Sequence, residues 1–157
     1  MERHDFYLSQ AIELANEKML AGQGGPFGAL VVRGERIVGR GWNRVTSTND
    51  PTAHAEVVAI RDACQHLGDF SLRGCRLYSS CEPCPMCLAA ILWARIDAIW
   101  YAAGCSDAAR AGFDDGHFYD EIARPIGERK LPMQQSLRQE AVNVFEAWTQ
   151  KDDRIEY

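Results

Sequence analysis

Two short segments of the sequence combine side chains that bind metal ions with one that can move protons. The first is His54-Ala55-Glu56 and the second is Pro83-Cys84-Pro85-Met86-Cys87. One imidazole and two thiolates suit tetrahedral zinc, and three protein ligands leave a fourth position open for water, as in catalytic zinc sites. Such a site lowers the pKa of its bound water to about 7. We therefore predict that His54, Cys84 and Cys87 hold one Zn²⁺ per chain.

Glu56 is predicted to act beside the metal rather than on it. It lies two residues after His54, about 200° around an ideal helix, so the two side chains would not reach one ion from the same helical face. A carboxylate next to activated water can take up a proton and return it to a substrate. Glu56 is therefore the predicted catalytic residue. His-x-Glu followed by Pro-Cys-x-x-Cys is also the known signature of zinc-dependent nucleobase deaminases.

The same cysteines leave other kinds of site open. Cys81, Cys84 and Cys87 have the spacing of three iron–sulfur ligands, but position 91, where a fourth cysteine is expected, is Ile. A Cys-x-x-Cys pair also occurs in redox-active sites and in structural zinc sites. A non-catalytic zinc or iron–sulfur module is therefore the alternative outside the enzymes. If the zinc is catalytic, Cys81 supports the site from behind or packs in the core.

Length and composition limit the class of protein. A chain of 157 residues, 46% hydrophobic and 25% charged, fits one globular domain. No apolar run approaches the roughly 20 residues that span a membrane, and residues 1–5 lack the apolar stretch of a secretory signal. We expect a cytoplasmic protein, where clustered cysteines bind metal more often than they form disulfides. The net charge of −5 favours a small neutral substrate over nucleic acid, although a local basic patch stays compatible with it.

The hydrophobic periodicity predicts elements that place both motifs at the starts of helices. The predicted helices cover residues 5–21, Asp50 or Thr52 to about Leu67, 84–94, 118–123 and 137–150. The predicted strands cover residues 29–33, 37–45, 75–79 and 97–103, the first two as a hairpin. Strands that alternate with helices over residues 70–103 indicate a partly parallel sheet with helices on its faces.

Longer stretches carry a family resemblance that runs almost from end to end. They are Gly24-Gly25-Pro26-Phe27-Gly28-Ala29, Asn49-Asp50-Pro51-Thr52-Ala53-His54-Ala55-Glu56, Ser80-Cys81-Glu82-Pro83-Cys84-Pro85-Met86-Cys87, Ala111-Gly112-Phe113-Asp114-Asp115 and Glu156-Tyr157. On these residues the chain resembles the cytidine deaminase-like superfamily and, within it, the small bacterial guanine deaminases. The last two stretches discriminate best, since the others are shared with tRNA adenosine deaminases and cytosine deaminases.

The resemblance implies an α/β protein with a three-layer α/β/α sandwich around a mixed five-stranded sheet. Residues 1–157 would form a single deaminase domain, and a homodimer would exchange C-terminal segments that help to close the active sites. The implied reaction is zinc-dependent hydrolysis of guanine to xanthine and ammonia, in purine catabolism or salvage. Glu56 would carry a proton from water to ring N3 of guanine. Neither nucleic acid nor a membrane is an expected partner.

The resemblance also implies which residues hold the base. Phe27 and His54 would stack on it, Asn43 and Asp115 would bind its edges, Tyr157 would cap the pocket and Trp93 would line it. An ionised carboxylate only accepts hydrogen bonds, which suits the N–H groups of a guanine edge. Plainer interpretations are core packing for Phe27 and a solvated turn for Asp115. The enzyme alternatives are tRNA adenosine deaminase and cytosine deaminase; residues 151–157 lack the basic character expected for the former.

Overall fold

The computed structural model describes residues 3–157, which divide into two compact units. The first unit ends at Gly116 and contains the sheet, and the second unit is His117–Tyr157. Along the described part of the chain, no helix is both long enough and apolar enough to cross a membrane.

The first unit alternates strands and helices. Its strands are β1 (Gly28–Arg33), β2 (Arg36–Trp42), β3 (Cys75–Cys81) and β4 (Ala98–Ala103). Its helices are α1 (Arg3–Leu20), α2 (Val45–Thr48), α3 (Ala55–Leu67), α4 (Pro85–Trp93) and α5 (Cys105–Arg110). The predicted helices over residues 5–21 and 84–94 are confirmed to within two residues at each end, whereas α2 and α5 were not predicted.

The four strands form one mixed sheet in the order β2-β1-β3-β4. Strand β1 is antiparallel to β2 and to β3, and β3 is parallel to β4. This confirms the α/β class, but the expected number of five strands is wrong for residues 3–157. After β4 the chain turns into α5, where the Asp107 carboxylate accepts the Gly104 N–H at 2.8 Å and closes the first helical turn. Residues 105–110 therefore form a helix and do not add a fifth strand to the sheet.

The sheet carries helices on both faces, because successive side chains of β1 point to opposite sides. Ala29 and Val31 pack in a buried cluster with α3 and α4. Leu30 and Val32 pack on the other face against Tyr7 of α1. The predicted three-layer α/β/α arrangement is thereby confirmed.

Small residues let α3 lie unusually close to β2. A Cβ atom added at Gly41 would lie 2.0 Å from the Ala55 carbonyl oxygen and 2.3 Å from the Ala59 nitrogen. Gly39 is similarly crowded, since its Cβ would lie 2.4 Å from the Ala59 oxygen. This contact fixes the start of α3, and with it His54 and Glu56, against the end of β2.

Gly41→Ala is therefore expected to destabilise the fold by about 3 kcal/mol or more, because the new methyl group meets helix backbone that cannot move aside. The measurement is the free energy of unfolding from a denaturant titration. Gly127→Ala is the control, since a Cβ at Gly127 meets nothing within 4 Å. Equal stabilities for the two variants would contradict the close contact between α3 and β2.

The predicted start of α3 was wrong. The helix begins at Ala55 with His54 as its N-cap, and the Asp50 carboxylate closes a turn by accepting the N–H of Thr52 at 2.8 Å and its hydroxyl at 2.7 Å. His54 has an extended backbone, with φ −70° and ψ 155°. The angular argument that separated His54 from Glu56 along a helix therefore does not apply, and the two side chains diverge because one precedes the helix.

The second unit consists of two helices joined by an irregular segment. Helix α6 (Gly116–Ala123) starts at the unit boundary, a short 3₁₀ turn covers Ile126–Glu128, and α7 (Arg138–Gln150) follows. The predicted helices at 118–123 and 137–150 are confirmed. The unit leaves many large apolar side chains exposed, among them Leu131 at 71%, Phe145 at 68% and Ile155 at 66%.

Candidate metal and substrate site

The three predicted metal ligands lie together in the first unit. The His54 Nδ1 atom is 3.5 Å from the Sγ atom of Cys84 and 3.5 Å from that of Cys87. Their ligand atoms all lie within 4.8 Å of one another, and this group of described residues does not include Cys81. Three ligand atoms at these distances from one another can reach one metal ion.

Two helix starts bring these ligands together. His54 is the N-cap of α3, and Cys84 is the N-cap of α4, where its sulfur accepts the backbone N–H of Cys87 at 3.5 Å. Pro85 follows at the first helical position, where its missing N–H costs no hydrogen bond. Unpaired N–H groups at a helix start stabilise a thiolate, so the position of Cys84 favours the ionised sulfur that binds metal.

The protonation equilibria of the three ligands fit a divalent cation. Hydrogen bonds from the Cys87 thiol and from His54 lower the pKa of Cys84 to about 4. The hydrogen bond between Cys87 and Cys84, together with burial, raises the pKa of Cys87. The hydrogen bond between His54 and Cys84 raises the pKa of His54. Without a metal ion, the three groups share protons through hydrogen bonds, and metal binding to two thiolates and a neutral imidazole would release those protons. Two sulfurs and one nitrogen are the donors that zinc prefers.

Glu56 lies beside the ligands and is nearly enclosed, with 5% of its surface exposed. The Ser79 hydroxyl of β3 donates a hydrogen bond to its Oε1 atom at 2.9 Å. Burial raises the pKa of this carboxyl group above its ordinary value. Ser79 was not predicted, because nothing in a strand sequence identifies the one hydroxyl that meets a carboxylate from a distant helix.

Most of the predicted site residues line one cavity of about 640 Å³ in the first unit. The predicted residues in its wall are Phe27, Asn43, His54, Glu56, Cys84 and Asp115. Cys87 is buried and lies outside the wall. The cavity thus places two candidate metal ligands, His54 and Cys84, and the predicted proton carrier Glu56 next to space of the size that small molecules occupy in proteins.

The wall offers an aromatic face and two kinds of polar group. Phe27 packs edge-on against Phe113, with ring centroids 4.9 Å apart at 86°. The Asn43 Oδ1 atom accepts the N–H groups of Gly25 and Val45, each at 3.2 Å, which leaves the amide NH₂ as the donor of this side chain. Asp115 supplies carboxylate acceptors.

Two predicted binding residues are not part of this wall. Trp93 ends α4 with 62% of its surface exposed, and the Arg95 guanidinium lies 5.8 Å from its ring centroid. Tyr157 ends the second unit with 75% of its surface exposed. Their roles toward a substrate stay predictions.

Further wall residues were not predicted, among them Glu82, Cys105 and Phe113. Glu82 and Phe113 lie inside stretches that carry the family resemblance, so the neighbouring motif residues could have pointed to them. Cys105 had no such signal. Its position follows from the contact of its N–H with the Glu82 Oε2 atom at 3.0 Å, which joins segments that are distant in sequence.

The sequence has well-characterised relatives. Residues 1–103 match the family described as the cytidine and deoxycytidylate deaminase zinc-binding region. The guanine deaminase of Bacillus subtilis (strain 168) is 52% identical over 154 residues, which cover 98% of this chain and 99% of that protein. The tRNA-specific adenosine deaminase of Agrobacterium fabrum is 49% identical over 78 residues, which cover 50% of this chain and 51% of that protein.

Solved structures extend the similarity to three dimensions. The X-ray structure of guanine deaminase from Bacillus subtilis matches with a TM-score of 0.95 at 52% identity, over 98% of both chains. Guanine deaminase from Nitrosomonas europaea matches with a TM-score of 0.66 at 32% identity, over 70% of this chain and 64% of that one. With the family match over residues 1–103 and a relative that aligns over nearly its whole length, this chain belongs to the cytidine and deoxycytidylate deaminase zinc-binding family.

Proposed function

We propose that this protein is a zinc-dependent hydrolase that deaminates guanine to xanthine and ammonia. The observation that carries the proposal is one cavity wall that contains His54 and Cys84 of the His-Cys-Cys group, the buried Glu56, the carboxylate of Asp115 and the amide of Asn43. The 52% identity with a guanine deaminase over nearly the full length of both chains supports this choice of base.

One zinc ion per chain would be held by His54, Cys84 and Cys87. When bound, it supplies the Lewis acidity that makes water nucleophilic near neutral pH. Glu56 takes the proton that the attacking water releases and delivers it to ring N3 of guanine. Once the water oxygen has bonded to C2, Glu56 takes the remaining proton from that oxygen and passes it to the 2-amino group. The C2–N bond then breaks, ammonia leaves and the C2 carbonyl of xanthine forms. Ser79 holds the carboxyl group in one orientation during these transfers.

The cavity wall recognises the edges and a face of guanine. Asp115 accepts hydrogen bonds from the ring N1–H and the 2-amino group, while the Asn43 NH₂ group donates to an acceptor edge of the base. Phe27 and His54 stack on the ring faces, and Phe113 supports Phe27. Adenine and cytosine present different donor patterns and leave Asp115 without its partners.

The active form is a homodimer in the cytoplasm, and residues 1–157 act as one deaminase domain. Each chain exchanges its C-terminal segment, so that Tyr157 caps a pocket and Trp93 lines it. The exposed apolar side chains of the second unit, such as Leu131 and Phe145, support this assembly because exchange would cover them.

Ammonia release from a panel of substrates tests the proposal directly. Guanine should be deaminated, whereas cytosine, adenine and an adenosine-bearing tRNA anticodon stem-loop should release little ammonia. Because the tRNA-specific adenosine deaminase of Agrobacterium fabrum is 49% identical over 50% of this chain, the stem-loop is the sharpest competitor. Deamination of the stem-loop, with none of free guanine, would replace this proposal by the tRNA adenosine deaminase alternative. A zinc-loaded protein inactive on all substrates would favour a non-catalytic module.

Asp115→Asn should lower kcat/KM for guanine about tenfold or more, because the amide strands a buried N–H donor of the base. Zinc content should not change. Asp114→Asn is the matched control, since its Oδ1 atom can still accept the N–H of Gly116 and close the same turn. Equal losses in the two variants would contradict recognition through Asp115.

A further inference from the structure

A thiol in the cavity wall contacts the carboxylate that recognises the base. The Cys105 Sγ atom lies 3.2 Å from the Oδ1 atom of Asp115, and both residues line the cavity. Cys105 is the first residue of α5, and Asp115 follows that helix on a loop. The contact therefore ties a loop carboxylate to a helix.

Cys105 is itself anchored from the opposite side. Its backbone N–H donates to the Glu82 Oε2 atom at 3.0 Å, and the Glu82 N–H donates to the Ala103 carbonyl oxygen at 2.8 Å. Glu82 directly follows β3 and Ala103 ends β4, so both anchors lie at the ends of adjacent strands of the sheet. Cys105 is thus held at the ends of the strands through its backbone, and its thiol holds the loop residue Asp115.

The chemistry of this contact gives the thiol one role. An ionised carboxylate accepts hydrogen bonds and donates none, so the thiol must be the donor. The hydrogen bond with Asp115 raises the pKa of Cys105, which keeps the proton on sulfur at neutral pH. The bond occupies one lone pair of Oδ1 and limits rotation of the carboxylate.

We propose that Cys105 is a positioning residue that holds Asp115 in the orientation needed to accept hydrogen bonds from guanine. The inference rests on the proposed function, because it assigns Cys105 a role only through the base that Asp115 binds. Cys105 lies outside the group of candidate metal ligands, and the proposal gives it no part in proton transfer. Its loss should weaken binding of the base, and therefore raise KM, while kcat changes less.

Three substitutions separate the hydrogen bond from simple packing. Cys105→Val keeps the bulk but removes the donor, and we expect kcat/KM for guanine to fall about three- to tenfold, mostly through KM. Cys105→Ala should behave like the valine variant. Cys105→Ser restores a hydroxyl donor and should stay within about twofold of the wild type. Zinc content should be the same in all three variants.

A double-mutant cycle with Asp115→Ala provides the decisive readout. If Cys105 acts through Asp115, Cys105→Val should have no further effect on kcat/KM in the Asp115→Ala background. Calorimetric titration of guanine into zinc-loaded Glu56→Gln protein gives a second readout that does not depend on turnover. In that protein, Cys105→Val should raise the dissociation constant for guanine by the same three- to tenfold factor. This factor corresponds to a loss of about 0.7–1.4 kcal/mol in binding free energy.

The outcomes distinguish this inference from the proposed function. A wild type that deaminates guanine, together with an unchanged KM for Cys105→Val, would overturn the role of Cys105 alone. So would equal losses from Cys105→Val in the wild-type and Asp115→Ala backgrounds, since these indicate packing. A wild type that releases no ammonia from guanine would overturn the proposed function, and this inference with it.

Discussion

Glu56→Gln is expected to keep its zinc and its fold while turnover of guanine falls by about 10³- to 10⁴-fold, the upper part of the range for general acid–base groups. The amide can neither take a proton from water nor deliver one to ring N3, and both transfers depend on this side chain. The substitution is otherwise mild. The amide oxygen can still accept the Ser79 hydroxyl that now bonds Oε1, so the buried site keeps that partner.

Steady-state ammonia release and zinc analysis on the same preparation measure the two halves of this prediction. Glu82→Gln is the matched control, because Glu82 is the other glutamate in the cavity wall and a glutamine can still accept the Cys105 N–H. We expect it to lose at most about tenfold in activity. Near-normal turnover by zinc-loaded Glu56→Gln would refute the role of Glu56 as proton carrier. If Glu82→Gln were inactive in the same assay, Glu82 would be the proton carrier instead.

The closeness of the three candidate metal ligands could be predicted from the sequence because each half of the group is local. Cys84 and Cys87 are three residues apart at one helix start, so their relative placement depends on few backbone angles. The two faces of the sheet could also be predicted, because successive residues of a strand point to opposite sides. Ala29 and Val31 therefore pack on one face, and Leu30 and Val32 pack on the other. Local geometry translates directly into site geometry in both cases.

Other features depend on contacts between distant segments, and no local pattern contains them. The hydrogen bond from Ser79 to Glu56 joins residues 23 positions apart, and the bond from Cys105 to Asp115 exists because a loop returns to its own helix. The start of α3 was mispredicted for a different reason. An aspartate such as Asp50 can cap a helix or close a turn, and the same short sequence suits both.

The sheet shows how two lines of sequence reasoning can disagree. Periodicity predicted strands over 29–33, 37–45, 75–79 and 97–103, and the structure has a strand in each place. The predicted end of the second strand was wrong, because β2 ends at Trp42 and Val45 begins α2. The fifth strand came only from the family resemblance. The segment after β4 instead forms α5, which sets Cys105 and Asp115 into the cavity wall. The departure from the expected sheet thus coincides with Asp115, which binds the base in our proposal, and with Cys105, which contacts Asp115.

Cys84→Ala should lose essentially all of its zinc and with it all measurable deamination. Disturbing a residue behind a metal ligand already costs roughly 10- to 100-fold in affinity, and removing a thiolate ligand costs more. Cys84 is also the N-cap of α4, so its loss disturbs the helix as well as the metal. Cys84→Ser separates the two effects, because a serine caps a helix well but is a poor zinc ligand. It should retain the stability of α4 better than the alanine variant while still losing the metal.

Cys81→Ala is the control that decides which cysteines bind zinc. Cys81 lies three residues before Cys84 and lines the same cavity, yet it falls outside the group whose ligand atoms lie within 4.8 Å of one another. Its thiol points to the Gly104 carbonyl oxygen, with the sulfur 3.9 Å away. Metal analysis should therefore find about one zinc per chain in Cys81→Ala, as in the wild type. If Cys81→Ala loses zinc as completely as Cys84→Ala does, Cys81 is also a metal ligand and the site is a cysteine cluster. That result would favour a structural zinc or iron–sulfur site over a catalytic zinc.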